Sequence, residues 1–301
     1  MSGLTAATEL RTAGWNVTLV DKGRGVGGRL STRRIGNSRL DHGAQFFTTR
    51  STQFCRAAAA WQAAGWVAPW YTEDGHTRYR ALGGMNALAK HLARHFHVQT
   101  ETKIETLAVT GSHWQATSES GVTFEADALI LTPPAPQSIA LLGNLAPEVT
   151  TALSVIDYDP CFALLLTLDG PSLVPAPGYT RPAGGIIDWL ADNTQKGVSE
   201  GPAALTIHAT GAFTRKHLNT DPAEVTRLLL EDAAPYLGST VTASQIHRWM
   251  YAKPVADNQS MCISAMHPAP VAVAGDALAG SRVEGAYLSG LAAARRICEI
   301  R

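Results

Sequence analysis

The 301-residue sequence lacks an excess of charge of either sign, because 25 aspartates and glutamates match its 25 lysines and arginines. A chain without net charge has no overall electrostatic attraction for nucleic acid or for an anionic membrane. No apolar run approaches the roughly 20 residues of a membrane-spanning helix, and no secretory signal pattern precedes the first helix. We therefore expect no nucleic-acid partner, no membrane span and a cytoplasmic location.

Cysteine is scarce, and no two cysteines form a C-x-x-C pair; the four are Cys55, Cys161, Cys262 and Cys298. Isolated cysteines in a core-rich chain are more often reduced than disulfide-bonded. The sequence also lacks the H-E-x-x-H zinc motif. His91 and His95 have the spacing of one helix face, with His97 close by, but no glutamate follows His91. We therefore favour a solvated surface over a metal site.

Apolar residues, in contrast, make up 45% of the sequence, enough for the core of one large domain or two smaller ones. Helix-and-strand patterns of the parallel βαβ type occur at both ends of the chain, and a more antiparallel pattern fills the middle. This arrangement predicts an α/β fold, α+β overall, with two interleaved domains.

Hydrophobic periodicity and turn residues predict the individual elements. Helices are expected over 4–14, 53–70, 84–95, 221–237 and 282–297, with Asp221 as the N-cap and Pro222 as the first residue of the fourth. Strands are expected over 15–20, 98–105, 128–132, 162–168, 204–208 and 271–276, with a β-meander over 106–124.

Gly3 and Asp21 form the first candidate cofactor site. In dinucleotide-binding folds, a glycine at the start of a helix lets the helix pack closely on the sheet. An acidic residue about 20 positions later accepts hydrogen bonds from ribose hydroxyls. Asp21 follows Gly3 by 18 residues and closes the predicted strand 15–20. Because many α/β proteins contain such a pair, an ordinary helix–strand connection explains it equally well.

The loop 24–32 follows directly and is rich in glycine and arginine, including Arg24, Gly27, Gly28 and Arg29. Glycines let backbone N–H groups approach an anion, and arginines complement a pyrophosphate. A solvated basic loop is the alternative. The neutral net charge disfavours a nucleic-acid patch at Lys22 and its neighbouring arginines.

The third candidate site lies near the carboxyl end, over 275–286. The strand 271–276 delivers Gly275 and Asp276, and a glycine-containing loop then begins a helix near Val283. The N-terminus of a helix offers free N–H groups and a partial positive charge, which favour an anion. An ordinary strand–helix turn is the alternative here.

Together these three motifs resemble the FAD-binding signatures of the flavin amine-oxidase superfamily. The sequences DHGAQFF at 41–47, GM at 84–85 and RWMYA at 248–252 are similar to its small renalase-like members. The resemblance covers nearly the whole chain. It implies a noncovalently bound FAD and a small-molecule substrate. In such chains a strand and two glycines precede the match to Gly3, so we expect weaker FAD binding than in a chain extended by about ten residues.

The resemblance also assigns site residues and domains. Gly3 matches the last fingerprint glycine, Asp21 the ribose ligand, and Ile104 a backbone contact to adenine. The implied cofactor-binding set is Gly3, Asp21, Lys22, Arg24, Gly27, Gly28, Arg29, Ile104, Gly275, Asp276, Arg282, Val283 and Ala286. The implied FAD-binding domain comprises 1–50, 82–138 and 265–301, and a Rossmann-like fold is expected for it. A substrate domain with a mixed or antiparallel sheet comprises 51–81 and 139–264.

The candidates for catalysis are His42, Gln45, Trp249 and Tyr251, with loop ordering or core packing as their alternative roles. Family members with covalent flavin carry a cysteine in the C-terminal motif, whereas Cys298 lies outside it. Many amine oxidases also place a lysine near flavin N5, and Lys253 has no clear match to that lysine.

These departures favour a renalase-like reaction, in which reduced nicotinamide isomers pass hydride to the flavin and O₂ or another acceptor reoxidises it. Two alternatives stay open: an amine oxidase, and a flavin-fold binding or structural protein without turnover. An NAD-dependent dehydrogenase is disfavoured because it has no use for the loop 24–32 or the motif 275–286.

Overall fold

A computed structural model describes residues 1–256 and 260–299 of the chain. The helices are α1 (Ser2–Thr12), α2 (Thr52–Ala63), α3 (Met85–Ala93), α4 (Ala135–Leu142), α5 (Pro147–Leu153), α6 (Gly211–Lys216), α7 (Pro222–Leu237), α8 (Asp276–Ala279) and α9 (Val283–Cys298). The first ten strands are β1 (Leu19–Val20), β2 (Thr32–Ile35), β3 (Ser38–Asp41), β4 (Val67–Glu73), β5 (His76–Ala81), β6 (Val98–Gln99), β7 (Ile104–Thr110), β8 (His113–Ser118), β9 (Thr123–Ala126) and β10 (Leu129–Leu131). The others are β11 (Tyr158–Leu168), β12 (Tyr179–Thr180), β13 (Ile187–Asp192), β14 (Ala204–Ala209), β15 (Val241–Pro254), β16 (Ile263–Ala265) and β17 (Val271–Val273). This mixture of helices with parallel and antiparallel strands confirms the predicted α/β class.

The chain divides into two compact units, each built from separated segments. Unit 1 comprises Met1–Gly28, Ala89–Asp157 and Pro254–Arg301. Unit 2 comprises Arg29–Leu88 and Tyr158–Lys253. These bounds differ from the predicted domain bounds, most of all in assigning residues 29–50 to unit 2 and 139–157 to unit 1. The roles expected for the two predicted domains stay predictions.

Unit 1 contains the parallel strand pairs. β1 pairs with β6 and β10 with β17, both in parallel, while β16 adds to β17 in the antiparallel direction. Small residues of α1 and α9, among them Ala6, Ala293 and Ala294, pack with Ala272 of β17 in one buried cluster. Small side chains let helices and strand approach closely, so this packing brings α1 and α9 to the same group of strands.

Unit 2 is built on a five-stranded sheet of order β12-β13-β14-β11-β15. β11 is a nearly continuous apolar run, and residues 162–168 are all buried. The helix α7 covers the sheet with Val225, Leu229 and Ala233, which are all fully buried. The hairpins β2–β3 and β4–β5 complete the unit.

Several predicted elements are confirmed. Residues 104–126 form the meander β7-β8-β9. Asp221 caps α7, and its Oδ1 accepts a hydrogen bond of 2.7 Å from the N–H of Ala223. Pro222 is the first residue of that helix. The predicted helix 282–297 corresponds to α9. Strong local signals, such as capping residues and long periodic runs, produced these predictions.

Other predicted elements were wrong in extent. The predicted helix 53–70 ends at Ala63, because Gly65 has φ +71° and the next residues form β4. The predicted strand 98–105 is two strands separated by residues 100–103. The predicted strands 15–20 and 271–276 are reduced to Leu19–Val20 and Val271–Val273. Pairing across a sheet decides these ends, and a single segment does not reveal its partners.

Candidate functional site

Within unit 1, the start of α1 lies beside the carboxyl end of β10. A Cβ atom on Gly3 would lie 3.5 Å from Oγ1 of Thr132, the residue that follows β10. The helix α9 fixes α1 from another side, because a Cβ on Gly290 would lie 2.4 Å from the carbonyl oxygen of Ser2. The N–H groups at the start of a helix attract anions, so this edge of the unit favours a phosphate.

Gly275 belongs to the same edge. Its N–H donates a hydrogen bond of 2.9 Å to Oγ of Ser289, the neighbour of Gly290 in α9. Asp276 follows as the first residue of α8. Since β10 and β17 are parallel, their carboxyl ends meet, and Gly275 comes close to the residues after β10. The structure therefore places Gly3 and the pair Gly275–Asp276 at the same edge of unit 1.

Asp21 and Lys22 lie directly after β1. Oδ1 of Asp21 accepts a hydrogen bond of 2.8 Å from the N–H of Gly23, which forms a tight turn. Nζ of Lys22 donates a hydrogen bond of 3.0 Å to Oε1 of Gln137 in α4, the helix after β10. These contacts bring the acidic residue of the predicted fingerprint to the region of β10, within unit 1.

Several glycines of this region face open space. A Cβ atom at Gly25, Gly28, Gly275 or Gly280 would meet no other atom within 4 Å. Packing therefore does not require glycine there, although the positive φ of Gly28 (+55°) and Gly280 (+91°) favours it, and the backbone stays accessible to a ligand. Gly285 is different, because its Cβ would lie 1.9 Å from the carbonyl oxygen of Gly280. The open glycines and the helix start at Gly3 fit the phosphates and ribityl chain of a dinucleotide cofactor.

The remaining predicted cofactor residues have more varied positions. Arg24 is exposed, and Gly27 has φ +115°, which favours glycine. Ile104 is half-buried at the start of β7, opposite Ser118. Arg282 caps α9, Val283 is its first residue, and Ala286 lies in its first turn. Arg29 belongs to unit 2, where it donates a hydrogen bond of 3.1 Å to the carbonyl oxygen of Ala252.

Within unit 2, His42 is held by its backbone and by its ring. Its carbonyl oxygen accepts a hydrogen bond of 2.8 Å from Nε1 of Trp249 and lies 3.2 Å from Nε2 of His208. Its ring stacks on Trp249 at 5.4 Å between centroids and meets His247 edge-on at 5.2 Å. The structure thus brings together two candidates from distant parts of the sequence, His42 and Trp249.

His42 is an uncharged histidine with one unused nitrogen. Burial, followed by the charges of Arg33 and His247, lowers the pKa of His42 to about 3. Nε2 lies 3.4 Å from Oγ of Ser31, whereas the buried Nδ1 has no hydrogen-bond partner in the protein. Burial likewise lowers the pKa of His208 to about 4. A neutral imidazole with a free nitrogen can donate or accept one hydrogen bond to a ligand.

Gln45 is bonded within the protein at both ends of its amide. Nε2 donates a hydrogen bond of 2.6 Å to the carbonyl oxygen of Asp41 and one of 3.2 Å to that of Gly43. Oε1 lies 3.5 Å from Nζ of Lys196. These contacts favour the structural role of Gln45 that the sequence left open.

Tyr251 lies two residues beyond Trp249 in β15 and packs edge-on against Tyr158 at 5.6 Å. A larger aromatic cluster lies elsewhere in unit 2 and begins at Phe46, within the DHGAQFF segment. Its members are Phe46, Trp70, Tyr71, Tyr179 and Trp189, with centroid distances of 4.5 Å from Tyr71 to Tyr179 and 4.6 Å from Tyr179 to Trp189. Sequence reasoning missed this cluster, because its residues are distant in the sequence.

Sequence reasoning also missed Lys196, the fully buried lysine beside Asp41. Their side chains are both 0% exposed, and Nζ lies 2.8 Å from Oδ2 of Asp41. Lys253, the lysine that was considered, is exposed. Lys196 follows a polar segment typical of a solvated loop, so no local signal reveals its burial. Met85 of the GM segment donates its N–H to Asp41, the partner of Lys196.

Two absences apply to residues 1–256 and 260–299. No group of three or more histidine, cysteine or acidic side chains there is arranged to hold a metal ion. Two of the three histidines considered, His95 and His97, lie beyond the end of α3 at Ala93. No helix among the same residues has the length and apolar character needed to cross a bilayer.

Comparison with protein families gives two matches. The family described as flavin containing amine oxidoreductase matches residues 54–298. The family described as NAD(P)-binding Rossmann-like domain matches residues 1–60. Among individual proteins, renalase of Mus musculus is 24% identical over 283 residues, which are 84% of this chain and 82% of that protein.

Solved structures share the fold over almost the whole chain. A protein assigned as a protoporphyrinogen oxidase from Exiguobacterium sp. 255-15 has a TM-score of 0.76 at 13% identity, covering 99% of this chain and 96% of that chain. Cyclohexylamine oxidase from Brevibacterium oxydans IH-35A has a TM-score of 0.70 at 13% identity, covering 99% and 97%. At such low identity these likenesses establish the fold alone.

Proposed function

The chain belongs to the family of flavin containing amine oxidoreductases, and we propose that it binds FAD noncovalently and oxidises a reduced nicotinamide-type substrate. The predicted relationship and the predicted class, a FAD-dependent oxidoreductase, are confirmed by the family match. The noncovalent attachment, the substrate and the site residues belong to the proposal.

The cofactor part of the proposal rests on the open edge of unit 1, which comprises the start of α1 at Gly3, Asp21, the glycines Gly25 and Gly28, and the pair Gly275–Asp276. Gly3, at the start of α1, and Gly275, after β17, would lie along the pyrophosphate. Asp21 would bind the ribose hydroxyls, and the start of α9 would approach the flavin ring. Arg24 and the other predicted residues of unit 1 would complete the site, whereas the predicted role of Arg29, a residue of unit 2, is kept as a separate proposal. The attachment is noncovalent in this proposal because Cys298 ends α9, 22 residues after Asp276.

The chemistry proposed for the substrate is hydride transfer. Bound FAD supplies the electron acceptor, and the protein binds, orients and shields the reacting groups. His42 stays neutral, so it would add no positive charge beside the substrate. Its unpaired Nδ1 is buried, and the ring would have to turn toward the substrate before Nδ1 could hold a polar group. Trp249, stacked on His42, would give a planar ring an apolar surface. Tyr251 remains a weaker candidate, and Gln45 would support the segment.

The relatives supply the substrate classes to compare. Renalase-like enzymes oxidise dihydronicotinamide isomers, and this class is the primary proposal. Amines are the second class, since one structural neighbour is named for cyclohexylamine. The absence of a free lysine beside His42 among the described residues favours the first class, because Lys196 is paired with Asp41.

Flavin absorbance tests the cofactor. Protein saturated with added FAD should show the flavin bands and release all of its FAD into the supernatant on acid precipitation. Colour retained in the pellet would contradict noncovalent attachment. A protein that is colourless, and stays colourless with added FAD, would support the alternative of a flavin-fold binding protein without turnover.

Anaerobic mixing tests the substrate. A dihydronicotinamide isomer should bleach the absorbance near 450 nm within one turnover, whereas cyclohexylamine should not. Admission of O₂ should restore the band if O₂ is the acceptor, as we propose. The reverse pattern would establish an amine oxidase, and bleaching by neither compound would refute both substrate classes. The His42→Phe variant tests the role of His42 in the reaction, because it keeps a ring stacked on Trp249 and removes Nδ1.

A further inference from the structure

Lys196 is a cation inside unit 2 that has no contact with solvent. Its side chain is 0% exposed, and burial lowers its pKa while the neighbouring carboxylate of Asp41 opposes that change. A buried ammonium group requires hydrogen-bond partners in fixed positions, because the protein must replace its hydration. The partners of Lys196 therefore reveal what the charge holds in place.

Three groups surround Nζ of Lys196. Oδ2 of Asp41 is at 2.8 Å and Oε1 of Gln45 at 3.5 Å. The ring of Trp70 has its centroid 5.2 Å away, within the range of a cation–π contact. The ammonium group is thus held by an ion pair, a long hydrogen bond and an aromatic ring, and it is not a free amine.

Asp41 connects Lys196 to the surrounding chain through further hydrogen bonds. Its Oδ1 accepts hydrogen bonds of 2.6 Å from Oγ1 of Thr32 and 2.7 Å from the N–H of Met85. Gly84 leaves room for this, because a Cβ there would lie 2.5 Å from Oγ1 of Thr32. The carboxylate therefore joins β2, the start of α3 and Lys196 at one point.

The backbone of Asp41 is held as firmly as its side chain. Its N–H donates to Oδ1 of Asn193 at 3.1 Å, and its carbonyl oxygen accepts from Oγ1 of Thr206 at 2.8 Å. The same carbonyl oxygen accepts from Nε2 of Gln45 at 2.6 Å. His42 is the next residue, so its place follows from these bonds.

We infer that Lys196 is a positioning residue, which fixes the segment 41–45 through Asp41 and Gln45 and so keeps the ring of His42 buried with Nδ1 free. The inference rests on the proposed function in one respect, the contact of His42 with substrate. Loss of Lys196 should loosen the segment, let the His42 ring move toward water and disturb the reaction more than substrate binding.

The test compares Lys196→Met, which removes the charge, with the double variant Asp41→Asn/Lys196→Met, which removes the pair. Arg227→Met is the control, since Arg227 forms exposed ion pairs with Glu224 and Glu231 in the same unit. Each protein, loaded with FAD, is measured for Tm, for the titration of His42 by NMR of the ring nitrogens, and for kcat and KM.

Lys196→Met should lower Tm by about 10 °C, because it leaves the Asp41 carboxylate buried and unpaired. The double variant should recover most of that Tm. Its kcat should nevertheless stay roughly 10- to 100-fold low, with KM within about twofold of the wild-type value, as expected for lost alignment. The control should match the wild type in every measurement.

The His42 titration distinguishes a positioning role of Lys196 from a role limited to balancing the charge of Asp41. In the wild type His42 should remain neutral at pH 5, whereas in the double variant its pKa should rise toward the ordinary value of about 6.5. The charged and titratable groups facing the ring, Arg33, His208 and His247, are unchanged in both proteins. A double variant with wild-type kcat and a wild-type His42 titration would overturn the inference. Failure of every protein to oxidise substrate would refute the proposed function, while the titration would still decide the role of Lys196.

Discussion

The open edge of unit 1 and the segment 41–45 of unit 2 differ in whether their polar groups are bonded within the protein. Along the edge, Gly25, Gly28 and Gly275 leave backbone facing empty space. In the segment, the side chains of Asp41 and Gln45 are bonded within the protein. The comparison teaches that a surface open to a ligand needs accessible backbone, whereas fixing the position of one buried side chain needs neighbours whose hydrogen bonds are already made.

The largest effect should come from breaking the closed segment. Asp41→Leu leaves Lys196 buried without a counter-charge and removes the acceptor for Thr32 and Met85. The free energy of unfolding should fall by about 3–5 kcal/mol in a urea titration at pH 7. Asp159→Leu, which removes the half-buried partner of the exposed Arg215, should change it much less. Equal losses in the two variants would contradict a special role for the buried pair.

Acid should weaken unit 2 through its neutral histidines. The pKa values of His42 and His208 in the folded state, about 3 and about 4, lie below the ordinary 6.5. Between these values the unfolded chain binds more protons, so stability is lost as the pH falls below about 6.5. The loss should approach about 1.4 kcal/mol per pH unit for each histidine.

His208→Gln is the matched variant for this acid effect, because a glutamine amide can still donate to the carbonyl oxygen of His42. Urea unfolding at pH 7, 6 and 5 should give a shallower dependence on pH than in the wild type. An unchanged dependence would show that other groups cause the acid sensitivity.

A pair of glycine substitutions compares the two regions directly. Gly84 has φ +102° and its Cβ would clash with Thr32, so Gly84→Ala should destabilise the protein by about 2–4 kcal/mol. Gly275→Val should leave stability within about 1 kcal/mol, since its Cβ faces open space. It should instead weaken FAD binding at least about tenfold in a fluorescence titration. Unchanged FAD affinity would remove Gly275 from the proposed site.

The smallest effect should come from Trp249→Phe. The substitution keeps an aromatic ring beside His42 but loses the hydrogen bond from Nε1 to the His42 carbonyl oxygen. The free energy of unfolding should fall by about 1 kcal/mol, the usual value of one such bond. The free energy of unfolding of Trp66→Phe, the same substitution at another tryptophan of unit 2, is measured for comparison. A loss above about 3 kcal/mol would mean that Trp249 acts chiefly through packing.

The sequence drew attention to the residues at the open edge of unit 1 more directly than to the buried segment. Gly3, Asp21 and Gly275 stand next to strands and helices whose periodicity is strong, and parallel strands bring their ends to one edge. Short motifs and the periodicity of neighbouring elements were therefore enough to predict which residues lie at this edge. The DHGAQFF motif drew attention to His42 and Gln45, but not to the reason for their positions. That reason is Lys196, 155 residues after Asp41.

The sequence by itself determined the α/β class, the relationship to flavin amine oxidases and the candidates for the FAD site, because these depend on local motifs and periodicity. Only the tertiary structure decided that the helix at 53–70 ends early, that Lys196 is buried, and that His42 stays neutral beside Trp249. Burial and pKa depend on groups that meet only after folding. The spacing of residues along the chain does not contain that information.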